Sequence, residues 1–328
     1  MRVQFERVAK SVWGGHARVV LRNRGFTMIE LVVVIVLIGI LSVIGAVVLK
    51  PVIDNYFMAQ RLAELTDVAD TALRRMSRDI RLALPNSLRV TPLSQPAGTT
   101  AYLELLATRT GGRYRSSLTS TGTGDILDFG AADTTFEAFG DLVSASVTAD
   151  QRIASGDIIV VMNLFSDTTA SLESNAYTSG NATYCGATFD ARCNSSAVSG
   201  TPTYSAVTKT TSIAMASRQF PLSSPAARFQ VVSGPVTYVC APNTTLDANG
   251  NGQGTLTRIS GYSISTTQPT PPSGTSSAVL ANYVTACELR YTQATVTQNR
   301  GVASIRIALT RNNLTVSLYH EVQVNNTP

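Results

Sequence analysis

Side chains that could carry out catalysis are few in this chain of 328 residues. Its only histidines are His16 and His320, and the surroundings of His320 are typical of an exposed β-strand rather than of a Ser-His-Asp triad. Asp125 and Asp128 are three positions apart in a predicted strand, where they would face opposite sides of the sheet. The sequence has no glycine-rich loop with the spacing of a phosphate or dinucleotide site. It therefore predicts a protein that is not an enzyme and that has no cofactor.

One loop has the spacing of metal ligands. Asp247, Asn249 and Asn251 alternate with small residues, as the first ligands of a calcium loop do. Arg258 occupies the position where such a loop places its bidentate glutamate, and a cation cannot replace that ligand. Asn-Gly pairs are also what a tight turn requires. We expect a plain turn with no metal, and calcium binding is the alternative.

Four cysteines are present, Cys185, Cys193, Cys240 and Cys287. An even number of cysteines in a segment that is expected to leave the cytoplasm predicts disulfides. Three pairings are possible. We favour Cys185–Cys193, which share one loop, and Cys240–Cys287, which lie at or within strand-like segments. A zinc site is the alternative, although the sequence has no Cys-x-x-Cys pair and no histidine cluster.

An uncharged apolar segment extends from Leu31 to Leu49 and directly follows Glu30. As a helix these residues would span about 28 Å, close to the roughly 30 Å thickness of a bilayer's hydrocarbon core. An acidic side chain beside lipid is costly, so Glu30 is a candidate functional residue. The alternatives are an ordinary anchor whose glutamate reaches the headgroups, and a cleaved secretory signal. The segment is longer than a signal's apolar core, and no A-x-A-like site follows it.

Positive charge is concentrated at the N-terminus. Residues 1–25 contain six basic side chains and one acidic side chain, while residues 26–328 contain 20 of each sign. Because positive flanks remain in the cytoplasm, this asymmetry predicts a single-pass membrane protein whose residues 1–25 are cytoplasmic and whose C-terminal part lies outside the cytoplasm. The neutral balance of residues 26–328 does not favour nucleic-acid binding.

An amphipathic helix is predicted over residues 51–85, because apolar residues recur there every three or four positions. Pro51 should bend or interrupt the helix, and Pro85 should end it. The expected order is a leader, residues 1–25, then a transmembrane helix, residues 26–50, the amphipathic helix, and a β-rich head.

The head, residues 86–328, is rich in Ser, Thr, Gly and short β-branched segments. We expect flexible loops at 166–226 and 268–277, and a turn at Ser233-Gly234-Pro235. The predicted strands are Ser87–Thr91, Ala101–Thr108, Asp125–Phe129, Asp157–Phe165, Arg228–Val232, Val236–Cys240, Leu256–Ile264, Val284–Thr292, Val302–Thr310 and Leu314–Val324. An antiparallel sheet packed on the amphipathic helix would give an α+β fold.

The N-terminus resembles that of type IV prepilins and type II secretion pseudopilins: a basic leader, Gly25, Phe26, Glu30 at the fifth position after the glycine, and an apolar helix. The resemblance implies a pilin-like fold and cleavage between Gly25 and Phe26 by a prepilin peptidase. It further implies methylation of the Phe26 amine and packing of the helix in a filament core. The implied role of Glu30 is to pair with that amine on a neighbouring subunit. The implied location is the inner membrane, with the leader cytoplasmic and the C-terminal head periplasmic. The implied partners are other pilin subunits, the peptidase, the inner membrane and its assembly platform.

A narrower resemblance links residues 63–87, 234–240 and 284–287 to the O-type minor pilins of the mannose-sensitive haemagglutinin (MSHA) pilus. It implies a minor pilin that primes or caps filament assembly and reaches the cell surface in the pilus. The alternatives are a minor pseudopilin of a type II secretion system and an adhesin at the pilus tip.

Overall fold

The computed structural model describes residues 25–165, 174–178, 185, 189–292 and 300–327. Residues 1–24 of the predicted leader, 1–25, and most of 166–188 therefore lie outside the described residues. The described chain contains the helix α1 (Met28–Arg81) and twelve strands. The strands are β1 (Arg89–Thr91), β2 (Ala101–Arg113), β3 (Asp133–Phe139), β4 (Ile158–Val160), β5 (Ser195–Ala197), β6 (Thr203–Ser205), β7 (Thr210–Arg218), β8 (Arg228–Ala241), β9 (Gly254–Ser260), β10 (Ser276–Thr292), β11 (Arg300–Arg311) and β12 (Leu314–Asn325).

The chain divides into two compact units between Met58 and Ala59. This boundary lies within α1 and not at Pro51. Pro51 lies inside the helix, which continues past it. The helix ends at Arg81, four residues before the end predicted at Pro85. In the first unit the apolar side chains of α1 are exposed.

In the second unit one face of α1 is buried against the sheet. The buried residues recur at helical spacing: Leu65, Ala69, Ala72, Leu73, Met76, Ser77 and Ile80. They join one apolar core with side chains from β1, β2, β8, β9, β10, β11 and β12. The hydroxyl of Ser77 donates to the carbonyl of Leu73 at 2.7 Å, so the single polar member is satisfied within the helix. A helix packed on an antiparallel sheet confirms the predicted α+β fold.

The main sheet follows the order β1-β2-β8-β9-β10-β11-β12, and all of these pairs are antiparallel. Its last three strands are the predicted meander. Asn312 and Asn313, at φ 52° and 60°, form the two-residue turn between β11 and β12. Asparagine tolerates this left-handed conformation, and such a turn matches the twist of paired strands.

A lobe is inserted in the β2–β8 pair and comprises residues 114–227. Arg113 of β2 pairs with Arg228 of β8, and the amide of Tyr114 donates to the carbonyl of Ala227 at 2.8 Å. The two ends of the insertion are therefore adjacent. The lobe contains a second sheet, β3-β7-β6, and β4 and β5, which pair with each other while β4 also pairs with β8. A separate apolar core underlies it, around Phe136, Ile213 and Phe220.

The lobe corrects two expectations from the sequence. Residues 189–226 were expected to be a flexible loop, yet they contain β5, β6 and β7. A few large side chains, notably Ile213 and Met215 of β7, are fully buried and are enough to order that strand. The predicted strand Asp125–Phe129 is wrong. Two isolated backbone hydrogen bonds hold that segment in place of a strand ladder. The amide of Leu127 donates to the carbonyl of Arg115 at 3.1 Å, and the amide of Glu137 donates to the carbonyl of Asp125 at 3.0 Å.

Ser233-Gly234-Pro235 was predicted to be a turn, but it lies inside β8. Gly234 has φ 132°, and the pairing register with β2 shifts beside it. On the other edge of β8, the first residue of β4 pairs with Val232, and the last residue of β9 pairs with Val236. Pro235 therefore lies in the gap between these two partners, where its missing N–H breaks no ladder.

The predicted flexible connector 268–277 also differs from the structure. The strand β10 already begins at Ser276, and the side chain of Gln268 donates to the carbonyl of Tyr102 at 3.2 Å. Part of this proline-rich segment is therefore held against the sheet.

Shortening Met76 to alanine tests the packing of α1 on the sheet. Met76 is fully buried, so Met76→Ala should lower the free energy of unfolding by about 2–5 kcal/mol. Arg74→Ala, on the exposed side of the same helix, should change it by no more than about 0.5 kcal/mol. Denaturant unfolding of the detergent-solubilised chain, followed by near-ultraviolet circular dichroism, measures both. Equal effects would contradict the assigned face.

Candidate processing and assembly site

The helix α1 begins just after the predicted cleavage position. Residues 25–27 are not helical, and Met28 is the first helical residue. The side-chain oxygen of Thr27 accepts a hydrogen bond from the amide of Glu30 at 3.3 Å, and the carbonyl of Thr27 accepts one from the amide of Leu31 at 3.2 Å. Thr27 is therefore the N-cap residue.

This cap was missed in the sequence, although its signal was present. Thr27-x-x-Glu30 has the spacing of a capping box, in which a threonine and a glutamate flank the first turn. Glu30 thus lies in the first turn of α1, at the end of the helix dipole that favours negative charge. The four residues from Thr27 to Glu30 therefore fix both the start of the helix and the position of the acidic side chain in its first turn.

The side chains on either side of Glu30 are exposed in the single chain. Phe26 is 80% exposed, and the apolar side chains from Met28 to Leu49 are largely exposed. By length and composition α1 can cross a membrane. The one hydroxyl in the apolar segment, on Ser42, donates to the carbonyl of Ile38 at 2.7 Å. Glu30 is therefore the only side chain of this segment whose polar group needs a partner from elsewhere.

Gly25 has no structural role in the described chain. A Cβ added at Gly25 would meet no atom within 4 Å, and its backbone does not need the left-handed region. Packing among the described residues therefore does not explain a glycine immediately before Phe26.

Comparison with protein families gives one match. A family model described as the prokaryotic N-terminal methylation motif matches residues 21–46. The match supports a type IV pilin-like or pseudopilin protein. It contains Gly25, Phe26, Glu30 and the first part of the apolar helix, and it fits a membrane-anchored structural subunit that associates with other pilins and with a prepilin peptidase. No curated protein and no solved structure matches the chain.

The candidate calcium loop forms a closed turn that uses its own carboxylate. One oxygen of Asp247 accepts hydrogen bonds from the amides of Asn249 and Asn251, at 2.9 and 2.8 Å, and the other accepts one from the Asn251 side chain at 3.0 Å. These bonds, chiefly the one from the Asn251 amide, lower the pKa of Asp247. The side-chain oxygen of Asn251 accepts from the amide of Asn312 at 3.0 Å, so the loop docks on the β11–β12 turn.

Arg258 lies away from this loop, in β9, and contacts Asp79 of α1 at 2.9 Å. Among the described residues no group of three or more His, Cys, Asp or Glu side chains is placed to hold a metal. The oxygens that calcium would need from Asp247 and Asn251 already accept protein hydrogen bonds. The geometry therefore favours the plain turn.

The cysteines form two disulfides, Cys185–Cys193 and Cys240–Cys287. The second joins β8 to β10 across the intervening β9. A loop of 47 residues closed in this way is worth roughly 4 kcal/mol in the chain-entropy model. This cross-link therefore stabilises the sheet on which α1 packs.

Calcium should leave the stability of the chain almost unchanged, because a ligand that does not bind the folded state cannot stabilise it. The melting temperature of the detergent-solubilised chain, measured in EDTA and in millimolar calcium, is the test. Asp247→Ala removes three hydrogen bonds and should lower the melting temperature equally in both buffers. A rise of many degrees in calcium for the unmodified chain would contradict the turn assignment.

Proposed function

We propose that this chain is a minor pilin, a low-copy subunit of a type IV-like pilus of the MSHA kind that primes or caps filament assembly. The observation that carries the proposal is the placement of Gly25, Phe26 and Glu30 at the start of an exposed apolar helix, within a matched methylation motif. The head then serves as a structural module rather than as an enzyme.

Processing explains Gly25 and Phe26. A peptidase must reach the peptide bond between them, and the region is non-helical with open space around Gly25. Cleavage would leave a free amine on Phe26, next to the N-terminus of α1. A glycine that packing among the described residues does not require is then required by the peptidase.

Glu30 provides the assembly contact. In a filament core made of such helices the carboxylate loses its water, and a buried charge is tolerated only when a cation pairs with it. The processed Phe26 amine is a cation at the same end of every subunit. Within one chain Glu30 lies inside the first helical turn while Phe26 precedes the helix, so the amine of a neighbouring subunit is the better placed partner. Pairing between subunits would set the axial register of the incoming helix.

The inserted lobe supports a low copy number. Residues 114–227 add a second sheet and a second apolar core beside the main sheet. Such a lobe adds bulk that every repeat of a filament would have to accommodate, and it suits a subunit present once or a few times. The same lobe favours one second function, a tip adhesin, because it can present a surface without altering the sheet that packs on α1.

Removing the Glu30 carboxylate tests the assembly contact. Glu30→Ala and the isosteric Glu30→Gln should both be cleaved after Gly25 and remain in the membrane. Their amount in sheared filaments should fall by roughly tenfold or more, because breaking a buried ion pair costs about 3–5 kcal/mol. Quantitative immunoblots of the membrane and filament fractions measure this. Val34→Ala, in the same apolar segment, is the matched control and should enter filaments normally. Recovery of Glu30→Gln at the unmodified level would remove the pairing.

Deletion of the whole chain separates the minor-pilin function from the adhesin function. A priming subunit lowers the barrier to starting a filament, so its loss should reduce the number of surface pili. Counting pili by electron microscopy in the deletion strain and in the complemented strain measures this. A normal number of pili that no longer adhere would instead establish a tip adhesin and would contradict priming.

A further inference from the structure

The two edges of the main sheet differ sharply. At one edge β1 is three residues long and is followed directly by Pro92, so few backbone groups are open there. At the other edge β12 has twelve residues, contains no proline and pairs with β11 without a register shift. Proteins commonly protect exposed edges with short strands, prolines or bulges. The first edge has these features and the β12 edge does not.

The turn before β12 determines which of its amides point outward. In a two-residue turn with both central residues at positive φ, the flanking pair, here Arg311 and Leu314, exchanges both hydrogen bonds. Pairing then alternates along the strand, so the even-numbered residues bond β11. The backbone groups that point away from β11 belong to Thr315, Ser317, Tyr319, Glu321, Gln323 and Asn325. In the described part of the chain these groups have no backbone partner outside the strand ladder.

Two depressions lie along β12. The first, of about 480 Å³, lies between α1 and His320 and is lined by Arg74, Arg78, Arg81 and a single acidic residue, Asp70. The second, of about 550 Å³, lies near the end of the strand and is lined by Arg300 with Gln323, Asn325 and their neighbours. Asp70 pairs with Arg74 at 2.6 Å, so Arg78 and Arg81 give the space between α1 and the open edge its net positive charge.

We propose that the β12 edge accepts an added β-strand from a partner protein, an extended segment whose side chains facing α1 are acidic. The outward backbone groups of β12 provide the main-chain hydrogen bonds, and the arginines of α1 select acidic side chains at alternate positions. The proposed surface shares no residue with the N-terminal motif, so the proposal does not rest on the function inferred from that motif.

A second copy of this chain fits the edge less well. Two β12 strands paired about a twofold axis would bring two sets of the same α1 arginines to one interface. Like charges brought together are repelled, whereas an acidic strand neutralises them. Charge complementarity therefore favours a different, acidic partner.

Binding of a short synthetic peptide tests the proposal. In the probe peptide glutamate alternates with valine, and in its counterpart lysine replaces glutamate. Fluorescence anisotropy with the detergent-solubilised full chain should show at least about tenfold tighter binding of the acidic peptide. The acidic peptide should also slow amide hydrogen exchange in β12, because the added strand occupies the outward amides.

Two variants at Tyr319 separate strand addition from simple charge attraction. Tyr319→Pro removes an outward N–H that β11 does not use, so the melting temperature should be little changed while binding of the acidic peptide falls about tenfold. Tyr319→Thr removes the same side chain but keeps the N–H, and it should bind like the unmodified chain. If Tyr319→Pro unfolds the chain, the exchange measurement on the unmodified protein decides the question.

Charge reversal on α1 tests the selectivity. Arg78 and Arg81 lie on the exposed side of the helix. The double variant Arg78→Glu, Arg81→Glu should therefore bind the lysine peptide more tightly than the acidic peptide. The proposal is overturned by equal binding of both peptides, by no detectable binding, by equal binding of the Pro and Thr variants at position 319, or by binding without slower exchange in β12.

Discussion

Burial of one face of α1 is the constraint on which the second unit depends. The sheet is apolar on the side that meets the helix, and the two surfaces form a single core. Ala69 and Ala72 are almost completely buried, so the helix approaches the strands closely at these small residues. Without this helix, one face of a sheet of seven consecutive strands would be exposed to water. The strands are therefore organised by a segment that lies far from most of them in the sequence.

Hydrogen bonds to Asp79 fix the rotation of α1 about its own axis, which apolar contacts alone do not fix. The carboxylate of Asp79 accepts hydrogen bonds from the hydroxyl of Tyr238 at 2.8 Å and from Arg258 at 2.9 Å, which connects α1 to both β8 and β9. Burial, reinforced by the charge of Asp79, raises the pKa of Tyr238, so the hydroxyl remains the donor. These bonds can form at only one rotation of the helix about its axis. At that rotation the arginines of α1 lie on its exposed side. The positive surface beside β12 thus follows from how α1 is pinned.

A fully buried acidic side chain connects the main sheet to the residues around the lobe. Glu104 of β2 is fully buried and pairs with Arg89 of β1 at 2.8 Å, while Arg89 stacks over the ring of Tyr177 at 3.7 Å. Burial raises the pKa of Glu104, and Arg89 opposes that effect. Tyr177, which follows the lobe's β4, donates its hydroxyl to the carbonyl of Ser87 at 2.7 Å. The insertion is therefore tied to the start of the head by polar contacts as well as by its own core.

The sequence by itself determined the features that depend on neighbouring residues. The motif from Gly25 to Glu30, the apolar segment, the amphipathic face of α1 and the β10–β11–β12 meander could all be predicted, because short spacings encode them. Only the tertiary structure decided the rest. It joined β2 to β8 across an insertion of more than a hundred residues, ordered β7 through a few buried side chains, and placed Pro235 in a gap between two partner strands. It also put Arg258 beside Asp79 rather than in the calcium-like loop. Each of these depends on contacts between segments distant in the chain, and local patterns carry no information about which distant segments meet.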